Sequence, residues 1–277
     1  MRNNARKTSY FRFLMIYLQR WQLTNIPYLV KNIISSAVVF FLTCYAVKSD
    51  AFELMEPTKS CLFAVLMCTI WSGLFNSIAI FYNEADYTMD DLTKVLPVRV
   101  YLAANVLIQG VLCLAEAVIS VTIFNAFFHY SATGLVTALM NFDYIITFFL
   151  VLFSADMLGF AVGVLVNNIT TAMTLIPLAL IAQFLFSGCL FELDGALKFV
   201  SQFTSARWGY SALGSLADLN EMSSRFTAVL PTYTPDPSDL FEATASFVQN
   251  CWIHLGILSI VAAAIASLLL FWKMYKA

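Results

Sequence analysis

Six stretches of the chain, 27–47, 60–82, 97–127, 144–166, 172–191 and 250–272, are mostly apolar. Each has at least the roughly 20 residues that a helix needs to cross the hydrocarbon core of a bilayer. No other feature constrains the fold as strongly. Hydrocarbon offers no water to backbone N–H and C=O groups, so each stretch must satisfy them internally as a helix. The expected class is an all-α membrane protein with six transmembrane helices. Composition agrees, because 60% of the 277 residues are hydrophobic and only 12% are charged. A soluble domain carries about a quarter charged residues and cannot hide this much apolar surface. The run 97–127 is long enough to tilt or to project beyond the bilayer.

A different kind of helix precedes the first span. Over 8–24, Tyr10, Phe11, Phe13, Leu14, Tyr17, Leu18 and Trp21 share one side of a helical wheel, with Thr8, Ser9, Arg12, Gln19, Arg20 and Gln22 largely on the other. That pattern predicts a helix lying in the membrane interface. The basic N-terminus is not followed by a short apolar core with a small-residue cleavage site, so no cleaved signal peptide is expected.

Lysine and arginine placement orients the spans. Six crossings put both termini on one side, together with Arg2, Arg6, Lys7, Arg12, Arg20, Lys94, Arg99, Lys273 and Lys276. The other side holds Lys48, Lys59, Lys198, Arg207 and Arg225. Lys31, one turn inside the first span, can snorkel toward the termini. Both termini are therefore expected in the cytoplasm of a multi-pass protein of the cell membrane. Residues 83–96, NEADYTMDDLTKVL, then form a cytoplasmic connection in which Asp90, Asp91 and Lys94 sit within one or two helical turns. Residues 167–171 make a minimal cytoplasmic turn, and 192–249 a large external region.

Little in the chain suggests an enzyme. There is no GxSxG, no HExxH and no phosphate-cradling GxxxxGK[ST] loop. No catalytic residue is assigned, and any ATP use requires a motor outside these residues. No basic block interleaved with aromatics points to nucleic acid. The six cysteines form no CxxC pair, and His129 and His254 are far apart, so no metal site is expected. Cys44 and Cys61 flank one loop, which leaves a disulfide open to them.

Two carboxylates lie within spans. Glu116 shares a helix face with Gln109, Cys113 and Ser120, and Asp156 shares one with Gly159 and Gly163. The latter is a small-xxx-small pattern that permits close helix approach. Ionisable groups at such depth face protein or water. Each carboxylate either holds helices together or, for Glu116 especially, lines a polar cavity. Trp71 and Phe75, one turn apart, pack, face lipid or meet a ligand, the first two being the usual roles of such a pair. Pro177 should kink the fifth span.

The stretch 185–213, LFSGCLFELDGALKFVSQFTSARWGYSAL, is too aromatic for a soluble loop and too interrupted for a span. It contains Phe186-Ser187-Gly188-Cys189-Leu190, then Arg207-Trp208-Gly209-Tyr210, with Leu216-Ala217-Asp218-Leu219 soon after. Together with the interface helix, six spans and the acidic helix between spans two and three, this resembles the transmembrane half of ABC exporters of the ABC-2 class. The resemblance is strongest to the G subfamily (White/pleiotropic-drug type), and to its bacterial members.

The resemblance implies one ABC-2 type transmembrane domain over 1–277, with a connecting helix at 8–24, a coupling helix at 83–96, and external re-entrant helices and loop at 192–249. The re-entrant helices between spans five and six would roof an external cavity. Asp90, with Asp91, Leu92 and Val95, would form the coupling helix that sits on the ATPase. Asp90 falls where the family usually has glutamate, and the family's neighbouring basic residues are missing. Cys189 and Leu190, at the end of span five, would form the valve between inner and outer cavities. Trp71 falls where the family places an aromatic that clamps substrate, in a pathway lined also by Phe75, Ile181 and Phe184. The expected protein is a permease subunit of an ATP-driven exporter of hydrophobic or amphipathic substrates. It would pair with a second permease subunit, identical or paralogous, amid membrane lipids. Separate ABC ATPase subunits would bind ATP and Mg, since many G-type members fuse the ATPase ahead of the membrane half and this sequence starts at the interface helix. A proton-coupled carrier using Glu116 and Asp156 is the alternative, and a membrane-embedded transferase a weaker one.

Overall fold

Helices account for every regular element among the described residues, and Thr133 and Leu139 add a single antiparallel bridge. The computed structural model describes residues 10–47, 51–94, 98–166, 168–191, 193–222 and 238–276; for 10–14, 16–29, 79–94, 98–100 and 274–276 it describes the backbone alone. In chain order the helices are α1 (Tyr10–Val47), α2 (Met55–Lys94), α3 (Val98–Phe127), α4 (Met140–Leu165), α5 (Ile169–Leu185), α6 (Gly195–Ser201), α7 (Ser205–Leu216) and α8 (Ala245–Lys276).

Five of these are long and apolar enough to cross a membrane, with candidate spans at Val30–Val47, Met55–Ile78, Tyr101–Phe127, Met140–Leu165 and Ala245–Lys273. The remaining apolar run differs from the sequence expectation of a span through residue 191. It is helical for only 17 residues, Ile169–Leu185, or about 25 Å, short of the roughly 30 Å hydrocarbon core. The local chemistry explains the early stop. The Ser187 hydroxyl donates to the Phe184 carbonyl at 2.8 Å and accepts the Cys189 N–H at 3.2 Å. Gly188 then turns the chain at φ +79°, a conformation that glycine adopts without steric cost. At the other end, Asn168 caps α5 by accepting the Thr171 N–H at 2.7 Å. Pro177 lies inside α5 without ending it.

Two further boundaries differ from the sequence reading. α1 runs unbroken from Tyr10 through Val47, where an interface helix and a separate span are expected. α2 likewise continues through Lys94, so the acidic connection extends the second span as one 40-residue helix.

α2 and α4 are the centre of the molecule. In their spans 67% and 61% of residues are buried, against 11% for α1 and 28% for α8, so α1 and α8 present most of their surface outward. The two central helices meet through glycines. A Cβ on Gly73 would lie 2.6 Å from the Leu152 carbonyl oxygen, and one on Gly159 would lie 2.6 Å from that of Leu74. α8 is tied to α4 at both ends, where Trp252 Nε1 donates to Thr147 Oγ1 at 2.9 Å and Lys273 Nζ to the Val166 carbonyl at 2.6 Å.

The loop before α4 is organised by one buried acid. Asp143 accepts the N–H groups of Leu135 and Val136 on Oδ2, at 2.8 and 2.9 Å, and that of Thr137 on Oδ1 at 2.9 Å. Three amide donors satisfy a charge that burial would otherwise make costly. Above it Phe124, Phe128, Tyr130, Tyr144 and Phe52 form a ring cluster, with centroids from 4.8 to 5.9 Å apart. All six cysteines are free thiols, so Cys44 and Cys61 form no disulfide.

Candidate functional site

Ser72 and Asn76 lie one turn apart on α2 and face Glu116 on α3. Asn76 Nδ2 donates to Glu116 Oε1 at 2.6 Å, and Ser72 Oγ donates to Oε2 at 3.1 Å. The Ser72 hydroxyl also meets that of Ser36, on α1, at 2.5 Å. One carboxylate thereby links three helices. It is 4% exposed, and each of its oxygens has a donor, which is the condition for burying such a group. Gln109, Cys113 and Ser120 are buried on the same face of α3, as their spacing requires.

On the far side of Ser72 and Asn76 opens a cavity of about 370 Å³. α1 contributes Lys31, Asn32, Ser35, Ser36 and Val39 to its wall, and α5 contributes Met173. α2 supplies Cys68, Trp71, Ser72, Phe75 and Asn76. Trp71 and Phe75 stack at a tilt of 35° with centroids 4.5 Å apart, an arrangement favourable by about 0.5–1.5 kcal/mol beyond area burial. Trp71 remains 38% exposed. A large aromatic that open is not spent on packing within the chain, and its free face borders the cavity. The site thus has an aromatic wall and a polar wall, in a volume typical of small-molecule sites.

The other expected site residues lie elsewhere. Ile181 on α5 is exposed at 52% and does not line this cavity. Phe184 packs on Phe63 at 5.2 Å. Cys189 and Leu190 fall beyond the end of α5, in the turn after Gly188, with Cys189 half-buried and Leu190 47% exposed. Asp156 is fully buried where α4 crosses α2, its backbone N 3.1 Å from the position a Gly73 Cβ would take. Asp90, Asp91 and Leu92 are on the last turns of α2, described by backbone alone, and Val95 lies outside the described residues.

The aromatic segment after α5 forms two short helices joined by a tight turn. Thr204 Oγ1 donates to the carbonyls of Ser201 and Phe186, at 2.7 and 3.3 Å. Gln183 of α5 accepts the Ala206 N–H at 2.9 Å, filling one of the orphan donors at the start of α7. Leu197 and Phe199 on α6 and Phe203 in the turn after it are more than half exposed, whereas nearly all of α7 is buried. Gly209 explains the close docking of α7, because a Cβ there would lie 2.7 Å from both Leu66 and Val151. Trp208 stacks on His254 of α8 at 3.8 Å.

A family model for the ABC-2 type transporter matches residues 6–216, which include the α1–α3 network, the cavity and the α6–α7 pair. The chain belongs to the ABC-2 type transporter family. No curated protein matches it. The ABC-2 permease is therefore a multi-pass membrane protein, the membrane component of an ABC transporter and not itself catalytic, and its family works with ATPase partners. The polar partners of Glu116 are what sequence inspection misses in this site. Ser72 and Asn76 share a face with the cavity, but the helix on which their acceptor sits does not follow from their own spacing.

Proposed function

We propose that this permease is the membrane subunit of an ATP-driven exporter in the cell membrane. Two permease subunits, identical or paralogous, pack around a central pathway and move hydrophobic or amphipathic substrates outward. ATP and Mg bind to partner ATPase subunits, which the family works with. ATP-driven closure of the ATPases presses on Asp90, Asp91, Leu92 and Val95 and shifts the spans from inward- to outward-facing. α5 and its turn through Phe191 serve as a sixth crossing, with Cys189 and Leu190 as the valve. The start of α1 continues from the first span on the cytoplasmic side, both termini are cytoplasmic, and α6–α7 dip back as the roof. The resemblance of 185–213 to G-subfamily and bacterial members supports the outward direction.

The observation that carries this proposal is the half-open Trp71–Phe75 pair walling a cavity between α1, α2 and α5. A proton-coupled carrier would instead place its carboxylates in contact with the transport route. Glu116 has both oxygens occupied by α2 donors, and neither it nor Asp156 lines the cavity. Trp71→Ala should lower substrate-stimulated ATP hydrolysis of the reconstituted complex about tenfold while leaving the basal rate and assembly intact, and Trp71→Phe should keep most of it. Stimulation unchanged in Trp71→Ala would remove this cavity from the transport route.

A further inference from the structure

Lys31 gives the cavity a charge that the proposed route, as a path for hydrophobic or amphipathic compounds, does not use. It stands at the start of the α1 span, at the same end of the bundle as the second half of the α2 span, where Trp71 and Phe75 sit. Among the described residues it is the only cation lining the cavity, and no carboxylate lines it. Glu116, behind the wall, is already engaged by Ser72 and Asn76. Around Lys31 the wall offers hydroxyls and amides, and across from it the aromatic pair. Lys31 is exposed at the end of its span, where its long side chain can carry the charge toward the interface while still bordering the cavity.

We infer that this cavity selects amphiphiles with an acidic head, a carboxylate, sulfate or phosphate, whose head pairs with Lys31 while the apolar body lies on Trp71 and Phe75. This rests on the cavity being part of the transport route and adds the charge class of what enters it. Asn76, which gives one amide hydrogen to Glu116, has a second that can donate to the same head, which raises the strength of the charged contact. A cationic head would meet Lys31 with like charge and no acid among the described lining residues to offset it. A neutral head would leave Lys31 without a counter-ion.

The full chain in phosphatidylcholine nanodiscs can be titrated with 9,10-dibromostearate, its alcohol and its trimethylammonium analogue, reading quenching of tryptophan fluorescence. The component lost in Trp71→Phe reports this cavity. The dibromostearate is expected to bind saturably and about tenfold more tightly than the alcohol, with the ammonium weakest. Lys31→Gln should erase that preference and Lys31→Arg should keep it. Added phosphatidylglycerol that displaces the acid identifies a bilayer lipid as the source of the head group, and no displacement identifies a free acid. Equal binding of the three probes, or a preference unchanged in Lys31→Gln, overturns the charge assignment while leaving the transport route standing. Absence of saturable Trp71-dependent quenching by any probe overturns both.

Discussion

Glu116 is held by groups 40 and 44 residues earlier in the chain. Its own face was legible, because Gln109, Cys113 and Ser120 follow from helical spacing and are all buried with it. Its partners were not legible. Ser72 and Asn76 come from α2, and periodicity within a helix says nothing about which neighbour it meets. The network makes a direct prediction. Glu116→Ala would strand the Asn76 amide in a buried site, at about 1–3 kcal/mol for an unsatisfied group, while Ser72 keeps its bond to Ser36. Glu116→Gln keeps the shape and an acceptor for Asn76. Thermal unfolding in detergent should show a clear loss for alanine and a smaller one for glutamine. Equal melting of both variants and the parent would mean that the carboxylate does not hold α1, α2 and α3 together. Trp71 presents the reverse case. Only the family resemblance placed a substrate contact at Trp71, and what the structure adds is a cavity that its exposed face borders.

At the scale of elements, the apolar runs were readable and their ends were not. The run through 191 loses its helix at Leu185 because Ser187 competes for backbone groups and Gly188 adopts positive φ. These are local effects that hydropathy ignores. The small-residue pattern at Gly159 did announce a close approach, and the partner is α2. Gly159→Val should push α2 from α4 against the Leu74 backbone, which cannot yield as a side chain would. Overpacking of that kind costs about 1–3 kcal/mol or more. On α8, a Cβ added at Gly256 would meet nothing within 4 Å, so Gly256→Val provides the control and should melt close to the parent. A Gly159→Val protein as stable as Gly256→Val would contradict the packing described for the central pair. The end of α2 carries a separate expectation. Asp90→Lys or Leu92→Arg should uncouple ATP hydrolysis from transport in the assembled complex without reducing membrane insertion. Unchanged transport in both variants would make this end of α2 a connector only.

For the whole molecule, the number of apolar runs, the all-helical class and the family were within reach of the sequence, since length, hydropathy and the 185–213 motifs carry them. The arrangement was not, because which helix is central depends on glycine contacts between α2 and α4 and on the burial of α7 through Gly209. The central claim is that ATP, through partner ATPases, drives substrate through a permease whose aromatic cavity receives it. Its most direct measurement uses inside-out membrane vesicles holding the permease with the ATPase that co-purifies with it, and follows accumulation of a fluorescent amphiphile. Accumulation should require ATP and Mg, persist when a protonophore collapses the proton gradient, and fall about tenfold in Trp71→Ala. Accumulation that proceeds without ATP, is abolished by the protonophore and is lost in Glu116→Gln would contradict the exporter and establish a proton-coupled carrier.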